Sequence, residues 1–226
     1  MGKRRIIPIM EELNTIQRLI IWVLPVLSAI TLHEVAHGRV ALRLGDTTAK
    51  TQGRLSLNPL RHVDPVGTVL VPAVLFFLSG FIFGWAKPVP VDYRRLRHPK
   101  RDMALVALAG PGANLAMAIG WALIMSLGVA LAPAAPWIGM PLYYMGQAGI
   151  LINIIIGVLN MLPIPPLDGS RVLVGLLPNR VGMLIARVEP FGLVILLLML
   201  ATGLLGTLLG PPVFFLQRII FVLLGY

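Results

Sequence analysis

Thr31-Leu32-His33-Glu34-Val35-Ala36-His37 closes the chain's first long apolar run, and the rest of the sequence is read outward from it. Histidines four apart stand one above the other on a single face of a helix. With a glutamate after the first, the stretch has the H-E-x-x-H form. In that form two imidazoles hold zinc and a carboxylate handles the proton of a water beside it. The run ahead of it, Ile16 to Ile30, has only Gln17 and Arg18 as strongly polar residues. A metal site at the end of such a run belongs in a membrane rather than in a soluble domain. The bland reading is a pair of helix-face histidines and a lone glutamate bonded internally. It requires three ionisable groups beside a membrane span with no function, where each is expensive.

Composition agrees with the membrane setting. Of 226 residues, 57% are hydrophobic and only 12% charged, against about a quarter charged in a soluble domain. Mean hydropathy is +0.87. Several stretches approach or exceed the roughly 20 apolar residues that cross a bilayer. The net charge of +10 falls mostly in short loops between apolar runs, which makes it a topology signal and not a nucleic-acid footprint. There is no cysteine, so thiolate nucleophiles, disulfides and Cys-ligated metals are excluded. Lys3-Arg4-Arg5 and the apolar run resemble a signal peptide, but no small-x-small site follows and cleavage would damage the motif. The sequence reads as one domain over 1–226, with a catalytic core over 16–190 and membrane helices over 191–226.

The expected fold is an all-α polytopic membrane protein: a helical bundle with short β-strands and a re-entrant segment at the cytoplasmic side. The first helix runs from Ile16 to about Leu44 and ends at Gly45-Asp46. Arg54-Leu55-Ser56-Leu57 alternates polar and apolar, as in a short strand closed by Asn58-Pro59. Lys87-Pro88-Val89-Pro90-Val91 must be extended, because prolines forbid helix. Basic loops precede and follow Val66 to Trp85, so this segment either dips in and returns or makes one plain crossing; the dip is the favoured reading. Further helices are expected at Met103–Leu131, Leu142–Leu162, Leu167–Leu177 and Phe191–Leu209. Gly210-Pro211-Pro212 ends the last of these, and a short segment, Val213 to Leu224, follows.

Two histidines leave a catalytic zinc site one protein ligand short. Asp168, in Asn160-Met161-Leu162-Pro163-Ile164-Pro165-Pro166-Leu167-Asp168-Gly169, is the best third ligand. It directly follows a membrane helix, where an ionised carboxylate needs a cation, and Gly169 leaves room for close approach. The alternative is a helix cap or a partner for Arg171. His62, Asp64, Asp102 and Glu189 are weaker rivals, in a turn or beside arginines. Asn114 and Asn153 place amides in apolar helices, where bonding to a neighbouring helix is the common role.

The paired motifs, His33-Glu34-Val35-Ala36-His37 and Asn160 to Gly169, resemble the site-2 protease family of intramembrane zinc metalloproteases. The likeness is to its compact prokaryotic members without a PDZ or CBS domain. It extends to Leu55–Pro59, His62–Gly67, Trp85–Val89 and Ala109–Asn114. The resemblance implies a zinc-dependent endopeptidase that cuts peptide bonds in or near transmembrane segments. It implies Zn2+ on His33, His37 and Asp168, with Glu34 as catalytic carboxylate and Asn160 positioning substrate or stabilising the oxyanion. Partners would be a transmembrane protein or peptide and the lipid bilayer, with no nucleic acid. The protein would be a multi-pass cell-membrane protein with its site nearer the cytoplasm. The alternatives are a metal-dependent membrane hydrolase of a non-protein substrate, a non-catalytic scaffold, or a transporter.

Overall fold

The computed structural model describes residues 14–71, 74, 84 and 86–225. Its α-helices are α1 (Thr15–Arg43), α2 (Thr48–Thr51), α3 (Pro99–Leu131), α4 (Pro136–Asn160), α5 (Asp168–Leu176), α6 (Asn179–Val188), α7 (Gly192–Ala201) and α8 (Leu204–Leu223). Among the described residues, five stretches are long and apolar enough to cross a membrane: α1, α3, α4, the α6–α7 run Asn179–Ala201, and α8. The protein is a multi-pass membrane protein.

Local chemistry sets the limits of α1. Asn14 and Gln17 form a reciprocal capping box at its start, satisfying amides that would otherwise lack partners. At its end Gly45 takes φ +114°, a conformation costly to a residue with a Cβ. Pro25 sits inside the helix, and the Ser28 hydroxyl donates to the Pro25 carbonyl at 3.0 Å.

Helices α3 and α4 approach closely because one presents small residues to the other's bulk. A Cβ on Gly149 would lie 2.1 Å from the Trp121 ring, and one on Gly146 would lie 2.5 Å from Met125. In lipid, where apolar side chains gain little by leaving their surroundings, such packing is what joins helices. The buried cluster comprises Trp121, Met125, Tyr143, Tyr144 and Ile150, joined by Ile21 of α1 and Ile220 of α8. Outward faces remain apolar, with Leu19, Leu123, Leu198 and Phe214 each more than half exposed. That surface suits hydrocarbon, not water.

Three expectations need correction. No strand occurs among the described residues. At 52–55 the chain turns, with Gly53 at φ +63°, and 87–91 forms no strand. A guanidinium replaces the expected ladder: Arg54 donates to the carbonyls of Arg61, Lys87 and Pro88. Pro88 and Pro90 have no amide proton to place in a sheet. The proposed re-entrant segment over 66–85 lies largely outside the described residues. Its described start is a wide helical turn, Pro65–Leu70, capped by Asp64, and the described residues contain no re-entrant turn. Among the described residues the protein is therefore an all-helical bundle, without the expected strands.

The third correction concerns the last spans. The break falls at Thr202-Gly203, with Gly203 at φ +75°, and α8 continues through Pro211 and Pro212. A membrane helix tolerates such prolines where local adjustment and neighbours satisfy the freed carbonyls.

Candidate metal centre

The C-terminal half of α1 carries His33 and His37 one turn apart, both buried. Their rings meet edge to face, with centroids 4.6 Å apart and planes at 83°. Helix α3 crosses this face and holds each ring by its Nδ1. His33 Nδ1 lies 2.6 Å from Asn114 Oδ1, and His37 Nδ1 lies 2.7 Å from the Val106 carbonyl. Carbonyl oxygens only accept, so both Nδ1 atoms carry the proton and both Nε2 atoms present a lone pair. Asn114 is fixed in turn: its Nδ2 donates to Asn153 Oδ1 at 2.9 Å and to the Ala29 carbonyl at 3.3 Å. Asn153 Nδ2 donates to the Gly149 carbonyl at 2.8 Å.

Asp168 reaches the same point from the first turn of α5. Its approach depends on Gly169, where a Cβ would lie 2.3 Å from the Met161 carbonyl and 2.4 Å from that of Leu162. Asp168 Oδ2 is 3.2 Å from each Nε2, and the two Nε2 atoms are 3.0 Å apart. Despite these distances Oδ2 is buried without a usable hydrogen bond, because no proton is directed at it. Three lone-pair donors facing one another repel unless a cation lies among them. Nitrogen and oxygen ligands at zinc distances in a tetrahedron stand about 3.3 Å apart, close to the separations seen here. The neighbouring helix leaves the space clear. A Cβ at Gly110 would come within 2.3 Å of His37 Nε2 and 2.6 Å of His33 Nε2. The donor set and its cradle fit zinc.

The alternatives for Asp168 do not hold. It makes no capping bond, and Arg171 engages the Tyr93 hydroxyl at 2.5 Å and Glu189 at 3.7 Å. The rival ligands lie elsewhere. His62 Nε2 donates to the Ser56 carbonyl, Asp64 caps Val66 and Gly67, and Asp102 accepts from the His98 amide. Among the described residues, His33, His37 and Asp168 are the group able to hold a metal.

Glu34 is half-buried, and its Oε2 accepts a hydrogen bond from the Val89 amide at 2.7 Å. Asn160, the last residue of α4, donates to the Ile156 carbonyl at 3.0 Å, which uses one of its two amide protons. Asn153 is fully buried behind Asn114, an orienting position and not one that faces substrate. Sequence reasoning treated Asn114 as packing and missed its hold on His33. The clue was its place four residues after Gly110, on the same face of α3.

The loops at this end are stapled by Asp46. It is fully buried and accepts from the Thr48 amide at 2.9 Å, the Thr48 hydroxyl at 2.5 Å and the Asp92 amide at 2.8 Å. Burial acts to raise its pKa. The bonds from Thr48 and Asp92, with the charge of Arg95, outweigh that and hold it below the ordinary carboxylate value.

Residues 129–202, which include Asn160 and Asp168, match Peptidase family M50. YwhC of Bacillus subtilis is 37% identical over 193 residues, covering 84% of each chain. Rip2 of Mycolicibacterium smegmatis is 32% identical over 180 residues, 78% of this chain and 64% of that protein. MJ0611 of Methanocaldococcus jannaschii is 34% identical over 103 residues, 44% of this chain and 49% of that protein. All three are described as candidate zinc metalloproteases. No solved structure matches the chain significantly.

Proposed function

The chain belongs to peptidase family M50 and is a zinc-dependent intramembrane protease, and from that premise we propose how its residues divide the work. His33, His37 and Asp168 hold the zinc. When bound, zinc polarises the scissile carbonyl and acidifies a water beside it. Glu34 takes the proton from that water and passes it to the leaving nitrogen. Asn114 and the Val106 carbonyl keep both imidazoles in the tautomer that binds metal. The second amide proton of Asn160 supplies a hydrogen bond to substrate or to the charge developing on its carbonyl oxygen.

The substrate is a transmembrane protein or peptide segment, opened from its own helix so that a peptide bond reaches Glu34. The site faces the cytoplasm. It lies where α1 ends, α3 begins and α4 gives way to α5, so the loops 44–98 and 161–178 leave from the same end. Arg43 at the end of α1 and Lys50, Arg54, Arg61, Arg95 and Arg97 in the segment 44–98 lie at this end, a bias that marks the cytoplasmic side.

One observation carries the reading: three unprotonated ligand atoms converge within 3.2 Å beside a glutamate. Its test measures bound zinc and cleavage of a transmembrane substrate in wild type, Glu34→Gln and Asp168→Ala. Glu34→Gln should keep zinc and lose turnover, and Asp168→Ala should lose both. Cleavage by Glu34→Gln at the wild-type rate would remove Glu34 from the chemistry.

A further inference from the structure

Val89 is buried and stands between Pro88 and Pro90. Proline has no amide proton and biases the residue before it towards extended backbone. Within 88–90, therefore, Val89 alone has an amide proton, and Pro90 keeps its backbone extended. That proton is spent on Glu34 Oε2, at 2.7 Å. The side chain packs on α1, since a Cβ at Gly38 would lie 2.8 Å from Val89 Cγ1 and 2.5 Å from Leu55 Cδ2. The segment is anchored on both sides. Upstream, the Lys87 amide donates to the His62 carbonyl at 2.9 Å, and Arg54 Nη2 donates to the carbonyls of Lys87 at 2.8 Å and Pro88 at 3.1 Å. Downstream, the Asp92 amide donates to Asp46 Oδ2. An extended segment fixed at both ends, with one donor left between two prolines, is built to present that donor and not to pair as a sheet edge.

We propose that Val89 is a positioning residue for peptide hydrolysis: its isolated backbone N–H holds Glu34 by one carboxylate oxygen and leaves the other oxygen turned to the water whose proton it takes. The inference rests on the assignment of Glu34 as the proton-transfer group made above. A carboxylate held by one oxygen has a single orientation towards the reacting atoms, whereas an unheld one spends time in unproductive rotamers. The bond goes to Glu34 and not to a metal-binding side chain, so its loss affects turnover and spares zinc.

The cleanest probe replaces Val89 by α-hydroxyisovaleric acid, which turns the 88–89 amide into an ester. This deletes the N–H and keeps the isopropyl group on Gly38. We expect kcat on a transmembrane substrate to fall about 10- to 100-fold, the scale of loss when a reacting group is misplaced by about 1 Å, with KM and zinc stoichiometry unchanged. In the metal-free protein, the infrared carboxylate stretch of Glu34, assigned by difference with Glu34→Gln, should shift. Val89→Pro also lacks the N–H and should behave as the ester does. An unchanged kcat, an unmoved Glu34 band, or zinc lost in parallel with kcat would each overturn the proposal. A shifted band in a protein whose wild type cleaves no peptide would support the Val89–Glu34 bond and overturn the role given to Glu34 instead.

Discussion

Gly110→Ala adds one methyl group at the most crowded point of the site. Its Cβ would lie 2.3 Å from His37 Nε2, 2.5 Å from His33 Cε1 and 2.6 Å from His33 Nε2. Non-bonded carbons rest about 3.5–4.0 Å apart, so the methyl intrudes by about 1 Å on both rings. Neither ring can swing aside freely, because their Nδ1 atoms are tied to Asn114 and to the Val106 carbonyl. Either a ring breaks that bond and turns its Nε2 away, or α3 shifts outward. Overpacking of this kind costs about 1–3 kcal/mol. At a tenfold change per 1.4 kcal/mol, zinc affinity should fall by about one to two orders of magnitude. Competition with a chromophoric chelator, in detergent, measures this directly. Gly112→Ala is the internal control: its Cβ meets nothing within 4 Å, and alanine in a helix is favoured over glycine by about 1 kcal/mol. It should bind zinc as the wild type does. Equal zinc affinity in the two variants would refute the reasoning, since it would mean that the rings are not where this cradle requires them.

Asn114→Ala frees His33 Nδ1 and should weaken zinc binding about 10- to 100-fold. Asn153→Ala, one bond further away, should cost less, and competition titration ranks the two. Because the folded pKa of Asp46 lies below its ordinary 3.8, its contribution to stability is present above that value and is lost as pH falls through the lowered one. Thermal unfolding followed from neutral pH downward should therefore show a steeper acid loss in wild type than in Asp46→Asn; identical slopes would count against the staple. Arg54→Ala removes the donor that holds the carbonyls of Arg61, Lys87 and Pro88. Hydrogen exchange at the Lys87 and Val89 amides should then accelerate with zinc content unchanged, and unaltered exchange would show that other contacts hold the segment.

The helix that carries the site was legible because its signals are local. The i, i+4 histidines, the apolar run before them and Gly45 after them need no tertiary partner to be read, and α1 indeed runs Thr15–Arg43. Asp168 was legible by elimination, since a chain with 9 acidic residues leaves few candidates beside a broken helix. The lack of strand pairing at 54–57 and 87–91 was not legible. Alternation in Arg54–Leu57 and the prolines at 88 and 90 indicate extended or turning backbone, and nothing local says whether an extended segment finds a ladder partner. Here a guanidinium and a carboxylate took the places a partner strand would have filled. The Asn114–His33 bond was hidden for the same reason. It spans 81 positions and depends on how α3 crosses α1, which no periodicity records. Pro211-Pro212 misled in the opposite direction, by offering a local stop that α8 overrides.

The most direct test of the central claim is X-ray absorption at the zinc edge on the purified protein, with His33→Ala, His37→Ala and Asp168→Ala alongside. One zinc per chain, bound by two imidazole nitrogens and by oxygen at about 2.0–2.2 Å, is the predicted result, with each variant losing the metal. A wild type that binds no zinc, or an Asp168→Ala variant whose zinc shell is unaltered, would contradict it.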